Sequence, residues 1–301
     1  MEQYVYIHGV VAERDRRAKH TKQYRAIRNG IDRELRKLGG DPLPAIDSSV
    51  TVEWGWDTPD AGETRTLAIA QSSIANRVKL ATPRDRTGFT SLLFAPAVKP
   101  VRKLIMFGLS DILYYVGKRG KKLVRSLVWN QILDQIDTEQ EVDLTIICHS
   151  GGTLIAHDFL FWVFSGDRDD HDEIIEQGID PSKVVAAANN WRIRRLVTFG
   201  SPISPLMVRS AYVTDKMAAS PSARLDATKL GLGRLAHSGE TPIWLNVWDR
   251  HDVLSYPVGP FYEGANIVDL YPDHSDSLRN SHEAYWTASS VHHDLAEHWN
   301  D

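Results

Sequence analysis

The chain has 301 residues, 42% of them hydrophobic and 25% charged, with 35 basic against 39 acidic side chains and a net charge of -4. Those proportions exclude a disordered chain, a collagen and a coiled coil, and with no basic excess nucleic acid is not an expected partner. The single cysteine, Cys148, excludes an internal disulfide and any multi-cysteine zinc or iron–sulfur site.

The opening MEQYVYIHGV enters a strand pattern at once, without the basic and apolar regions of a secretory signal. The longest apolar run, residues 104–116, is broken by Asp111 and is too short to span a bilayer. A soluble, cytoplasmic protein is the expectation. Residues 4–11 (YVYIHGVV) read as a buried strand closed by Gly9. Residues 21–38 place Tyr24, Ile27, Ile31, Leu35 and Leu38 on one stripe, a helix stopped by Gly39-Gly40. A second strand covers residues 49–56. Residues 82–100 hold three prolines and little periodicity, an excursion from the pattern, and residues 101–136 predict one or two helices with a break near 117–120.

The second half is more regular. Residues 142–148 predict a strand, and residues 151–164 a nearly uncharged, buried helix. Residues 165–190 read as a polar, acidic insertion, and residues 194–200 as a strand running into Ser201-Pro202. Serine, alanine and glycine between 210 and 239 suggest a surface loop. Residues 243–248 and 266–270 give two more strands, and 283–299 a final helix. Apolar strands alternating with helices imply an α/β fold, a mainly parallel sheet covered on both faces. No internal repeat is present.

The most informative segment is Cys148-His149-Ser150-Gly151-Gly152, set between a strand and an apolar helix. So tight a strand-to-helix turn forces its middle residue into a strained backbone, thrusts that side chain outward, and needs small neighbours. The serine hydroxyl then sits at the positive end of a helix. This segment resembles the nucleophile elbow of the α/β-hydrolase superfamily, usually Gly-x-Ser-x-Gly, with Cys148 in the place of the first glycine. The resemblance implies Ser150 as nucleophile. Cys148 as nucleophile is the weaker reading, because a cysteine ending a buried strand behaves as a small hydrophobe. His149 adjoins the serine in sequence and is expected to splay aside and shape the substrate pocket.

A serine needs an imidazole base and a carboxylate to orient it, in the order Ser, acid, His for this fold. After the strand at 243–248, Asp249-Arg-His-Asp252-Val-Leu-Ser-Tyr-Pro resembles the acid loop of lipase class 3-like esterases and lipases. That likeness implies Asp252 as the acid, with Asp249 in reserve or bracing the loop. The same group carries a His-x-x-Tyr here matched by His282 and Tyr285, which implies His282 as base, with His274 the alternate. His8-Gly9-Val10 resembles the hydrolase His-Gly loop, so the amides of Val10 and Gly151 are the expected oxyanion donors, with His8 and Gly9 beside the pocket. Among His292, His293 and His298 a metal pair lacks supporting ligands, and a solvated helix face is the expectation.

The resemblance covers residues 4–10, 142–165, 193–202, 243–257 and 280–286. It implies one α/β-hydrolase domain over 1–301; residues 82–141 and 203–240 lie outside the resemblance, and from composition 82–125 reads as a helical cap or lid and 203–240 as a loop-rich insertion. It also implies an ester or lipid substrate, neither metal nor organic cofactor, and an acyl-enzyme. Residues 81–125 hold ten Lys and Arg against Asp85 and Asp111. A basic, partly apolar excursion of this kind suits peripheral contact with an anionic membrane. An amidase or peptidase with the same three residues, or a binding scaffold on the same fold, are the alternatives; a nucleotide-binding protein lacks its glycine-rich loop after the first strand. The oligomeric state is left open.

Overall fold

The computed structural model describes residues 1–9, 16–54, 112, 115, 117–166, 178–207, 215, 218, 220, 223–272 and 280–299. In chain order the elements are β1 (Glu2–Ile7), α1 (Arg16–Lys37), β2 (Val50–Val52), α2 (Lys118–Gln135), β3 (Val142–His149), α3 (Gly151–Phe164), α4 (Pro181–Asn190), β4 (Trp191–Phe199), α5 (Ile203–Met207), β5 (Leu225–Asp226), β6 (Ile243–Val247), β7 (Tyr262–Glu263), β8 (Asn266–Leu270), α6 (Ser281–Ala284) and α7 (Ser289–Glu297). Six strands form one sheet in the order β2-β1-β3-β4-β6-β8, each neighbouring pair parallel, and β5 pairs with β7 separately.

Strand alternation sorts the core onto two faces. Val5 and Ile7 of β1 join a cluster with Val128, Trp129 and Ile132 of α2, Ile155 and Phe159 of α3, and Ala187 of α4. Tyr4 and Tyr6 point the other way, into a cluster with Ile27, Ile31 and Leu35 of α1 and Val291, Leu295 and Ala296 of α7. Helices therefore cover both faces, as expected. A half-buried ion pair ties two of them: Arg125 of α2 donates from Nε and Nη2 to Asp158 of α3, both at 2.6 Å, and Tyr115 donates to the same carboxylate.

Local signals set several ends. At the end of α1, Gly39 adopts φ 77° while Gly40 N donates to Leu35 O at 2.9 Å and Gly39 N to Arg36 O at 3.3 Å, the paired bonds of a glycine C-terminal cap. α2 begins directly after Gly117, where the break was expected.

Other expectations are corrected. The last 10 residues of the polar stretch read as an insertion are helix α4, started by Pro181 in the first turn and by Asp180, whose side chain accepts from Ser182 N. The final helix is broken into α6 and α7. In the segment read as a surface loop, Ala227, Leu230 and Leu232 are buried in the core, because small apolar residues there close over α3. Of the expected cap at 82–125, residues 82–111, 113, 114 and 116 lie outside the described residues; Lys118–Arg125 are the start of α2, which runs on to Gln135. Among the described residues no helix is long and apolar enough to cross a membrane.

β1 lies between β2 and β3, so the chain leaves it in opposite directions along the sheet. At such a switch point a crevice opens at the carboxyl ends of the strands, where ligands bind in open α/β sheets. His8-Gly9 and Ser150 follow those two strand ends.

Candidate active site

Ser150 occupies the turn between β3 and α3 with φ 52° and ψ -127°, the only non-glycine residue with positive φ among the described residues. That conformation costs about 1–3 kcal/mol and persists only where the surroundings enforce it. They do so here through backbone bonds on both sides: Ser150 N donates to Phe199 O at 3.0 Å, and Ser150 O accepts from Thr153 N at 3.0 Å and Thr153 Oγ1 at 2.7 Å. With its hydrogen committed to that carbonyl, Thr153 Oγ1 accepts from Ser201 Oγ at 2.9 Å, and Ser201 Oγ accepts from Ile203 N at 3.3 Å. One row of directed hydroxyls thus runs from the loop after β4 to the turn.

Close approach explains the small residues. A Cβ on Gly152 would stand 2.4 Å from His8 O and 2.5 Å from Ile7 O, so α3 crosses the end of β1 where no side chain fits. A Cβ on Gly9 would stand 2.5 Å from the Cβ of Ser150. The expected His-Gly loop therefore touches the serine directly, although Val10 itself lies outside the described residues. Cys148 is tolerated because its side chain turns into the core, where burial pushes the thiol pKa up and Sγ donates to Val197 O. A thiol so placed cannot serve as nucleophile.

Asp252, from the loop after β6, and His282, from α6, meet the serine. His282 Nδ1 lies 2.8 Å from Asp252 Oδ2, and His282 Nε2 lies 2.8 Å from Ser150 Oγ. Because the carboxylate accepts only, Nδ1 carries the proton of neutral His282 and Ser150 donates to the bare Nε2. Asp252 takes two further donors, Tyr285 OH at 3.0 Å on Oδ2 and Leu254 N at 3.1 Å on Oδ1. Burial works to raise the Asp252 pKa, but the His282 charge and these donors override it and leave it below its ordinary value. Burial works to depress His282, and the Asp252 carboxylate outweighs it and leaves the imidazole raised.

Asp249 plays the bracing part. Its carboxylate accepts His251 N at 2.6 Å, and its carbonyl accepts Asp252 N at 3.0 Å, a turn that aims Asp252 rather than Asp249 at the imidazole. Farther down the same loop, Asp269 of β8 accepts Val258 N at 2.9 Å and Gly259 N at 2.8 Å, while Asn246 Nδ2 reaches Tyr256 O at 3.1 Å. Sequence reasoning offered the Asp249 brace but missed those of Asp269 and Asn246 and the donor role of Tyr285.

The remaining expected residues fall around this row. Gly151 opens α3, so its N–H is a first-turn donor without an intrahelical acceptor, beside the serine. His8 is buried; its Nε2 accepts from Trp54 N at 3.3 Å, and Trp54 Nε1 donates to His8 O at 2.7 Å. His149 is buried and donates from Nε2 to the backbone carbonyl of His282 at 2.8 Å. His274 lies outside the described residues.

His292 departs from expectation: it is buried against α1 and donates to Trp286 O at 3.1 Å, whereas His293 is half exposed. Among the described residues no group of three or more His, Cys, Asp or Glu side chains is placed to hold a metal ion. In comparison with known proteins, the chain matches no family model, no curated protein and no solved structure.

Proposed function

We propose that this chain is a serine hydrolase of the α/β-hydrolase type that cleaves a carboxylic ester through an acyl-enzyme. The observation that carries the reading is the unbroken row Ser150–His282–Asp252, hydrogen-bonded at 2.8 Å on both sides of the imidazole and rooted in a strained turn at a sheet switch point. A structural role alone gives no reason to hold a serine at φ 52° with its hydroxyl on a histidine.

In this mechanism Ser150 Oγ attacks the acyl carbon as its proton passes to His282 Nε2. The oxygen of the tetrahedral intermediate takes the Gly151 N–H, with the loop after β1 as the place for a second donor. His282 then gives its proton to the departing alcohol. Water repeats the sequence on the acyl-enzyme and restores Ser150. Asp252 stays ionised throughout and stabilises the imidazolium, with Tyr285 and Leu254 N holding the carboxylate in place.

The test exposes purified protein to a fluorescent fluorophosphonate. Labelling of the wild type that disappears in Ser150→Ala and falls sharply in His282→Ala is the expected result. Folded wild type that never labels, or labelling that survives Ser150→Ala, removes the proposal. Turnover of a matched ester and amide pair then decides the bond: the ester is expected to be the faster by a wide margin, and a faster amide would make the enzyme an amidase.

A further inference from the structure

One buried imidazole beside the row has no part in that chemistry. His149 is 4% exposed, and its ring lies 4.7 Å from that of His282, centroid to centroid. Phe199 at 5.3 Å and Trp286 at 5.2 Å close two more sides. On a further edge stands Gly200 at φ 61°, where a Cβ would come within 3.1 Å of His149 Cδ2 and Nε2 and of His282 Cε1. A ring so enclosed has one orientation.

Among the described residues, its ring is tied to a backbone group of the base. His149 Nε2 is 2.8 Å from the carbonyl oxygen of His282. A carbonyl only accepts, so Nε2 carries the proton. The acceptor belongs to α6, a helix of four residues whose carbonyls lack a full intrahelical set of donors. The side chain of His282 is therefore aimed from a backbone that α6 by itself secures weakly.

Resting on the reading of Ser150, His282 and Asp252 as catalytic, we propose that His149 is a positioning residue: its Nε2–H holds the His282 backbone so that the base stays aligned between Ser150 and Asp252. The same enclosure keeps His149 uncharged when His282 takes up the serine proton, since burial and then the His282 charge hold its pKa well below the ordinary value. The titratable groups facing the two rings are Asp252 and Tyr285 from the acid side, Lys19 from α1 and Glu283 from α6. Protonation during turnover therefore falls on His282 alone.

The experiment measures the second-order rate of fluorophosphonate labelling against pH, per folded molecule by circular dichroism, for the wild type, Ser150→Ala, His149→Phe and His149→Gln. His149→Leu replaces His149→Phe where the larger ring prevents folding. Loss of the donor is expected to slow labelling about 10- to 100-fold, the range for small misplacements of a reacting group. It is also expected to move the midpoint of the acid limb downward as His282 loosens from Asp252. His149→Gln, whose amide N–H reaches the same carbonyl, is expected to recover most of both effects. Labelling at the wild-type rate in His149→Phe overturns the inference. So does a slower rate with an unmoved midpoint that His149→Gln fails to repair, since that pattern belongs to packing alone. A wild type that does not label, or labelling that survives Ser150→Ala, overturns the underlying hydrolase reading whatever His149 does.

Discussion

At the amino end of the sheet, Glu2 lies between Arg194 at 2.7 Å and Arg195 at 3.2 Å, and Arg195 Nε donates to Trp299 O at 2.5 Å with its guanidinium over the Trp299 ring. At the carboxyl end, one carboxylate, Asp252, holds an imidazole that in turn holds a serine hydroxyl. Both ends bury charge, and both satisfy it with hydrogen bonds. The amino end uses guanidinium groups that never release a proton, so it can only stabilise. The carboxyl end places a group that gains and loses a proton near neutrality between an acceptor and a donor. In the proposed function, buried charge becomes chemistry because one link in the row can titrate.

The largest break in this contrast is Ser150→Ala, which is expected to lower kcat about 10⁶-fold while leaving the thermal melting of the chain close to wild type. Asp252→Asn follows, with a loss of about 10⁴-fold, because the amide no longer enforces the Nδ1–H form of the base. That variant sharpens the comparison through pH. In the proposed mechanism neutral His282 is the active form, so the rate is expected to rise as pH passes its raised pKa, and the midpoint in Asp252→Asn to move down as the carboxylate that offsets burial is lost. The stability linked to the same pair runs in the opposite sense: it is fully present below the unfolded pKa of histidine and is lost as pH rises through the folded one.

At the amino end, Arg195→Met is expected to cost about 2 kcal/mol in denaturant unfolding, less than for a fully buried pair because Glu2 keeps Arg194. Turnover per folded molecule should not change; a fall of tenfold or more would mean that the two ends are coupled. The smallest effect is assigned to Tyr285→Phe, about 1 kcal/mol in the barrier for one lost hydrogen bond to Asp252, read as roughly fivefold in kcat/KM.

The site was legible where a local pattern carries the geometry. A β-rich run meeting Cys148-His149-Ser150-Gly151-Gly152 and an uncharged helix specifies the turn without distant help, and the structure brings Asp252 and His282 into one hydrogen-bonded row with Ser150. The donors that aim those residues were not legible, because each comes from another strand or loop: Tyr285 was noted for its spacing, yet its hydroxyl acquires a purpose only when Asp252 lies 3.0 Å away. His292 misled for the same reason. Its surroundings in sequence are those of a solvated helix, and what buries it is α1, packed on α7 from the far end of the chain. Helix α4 was legible and overlooked, since Asp180-Pro181-Ser182 is a complete start signal.

The pairing of β1 with β3 has a kinetic consequence. Glu2 lies opposite Asp143, so the central strands meet only after most of the first half of the chain has been looped out. His282 then reaches Ser150 across another 132 residues of sequence. Contacts this distant demand the closure entropy in advance and make for slow folding. Ser150 is also enforced in its turn by Phe199 of β4, so the proposed nucleophile is a product of the completed sheet and of no fragment of it. During refolding, the reactive serine is expected to appear with the last phase of tertiary assembly, which makes its labelling a clock for the finished fold.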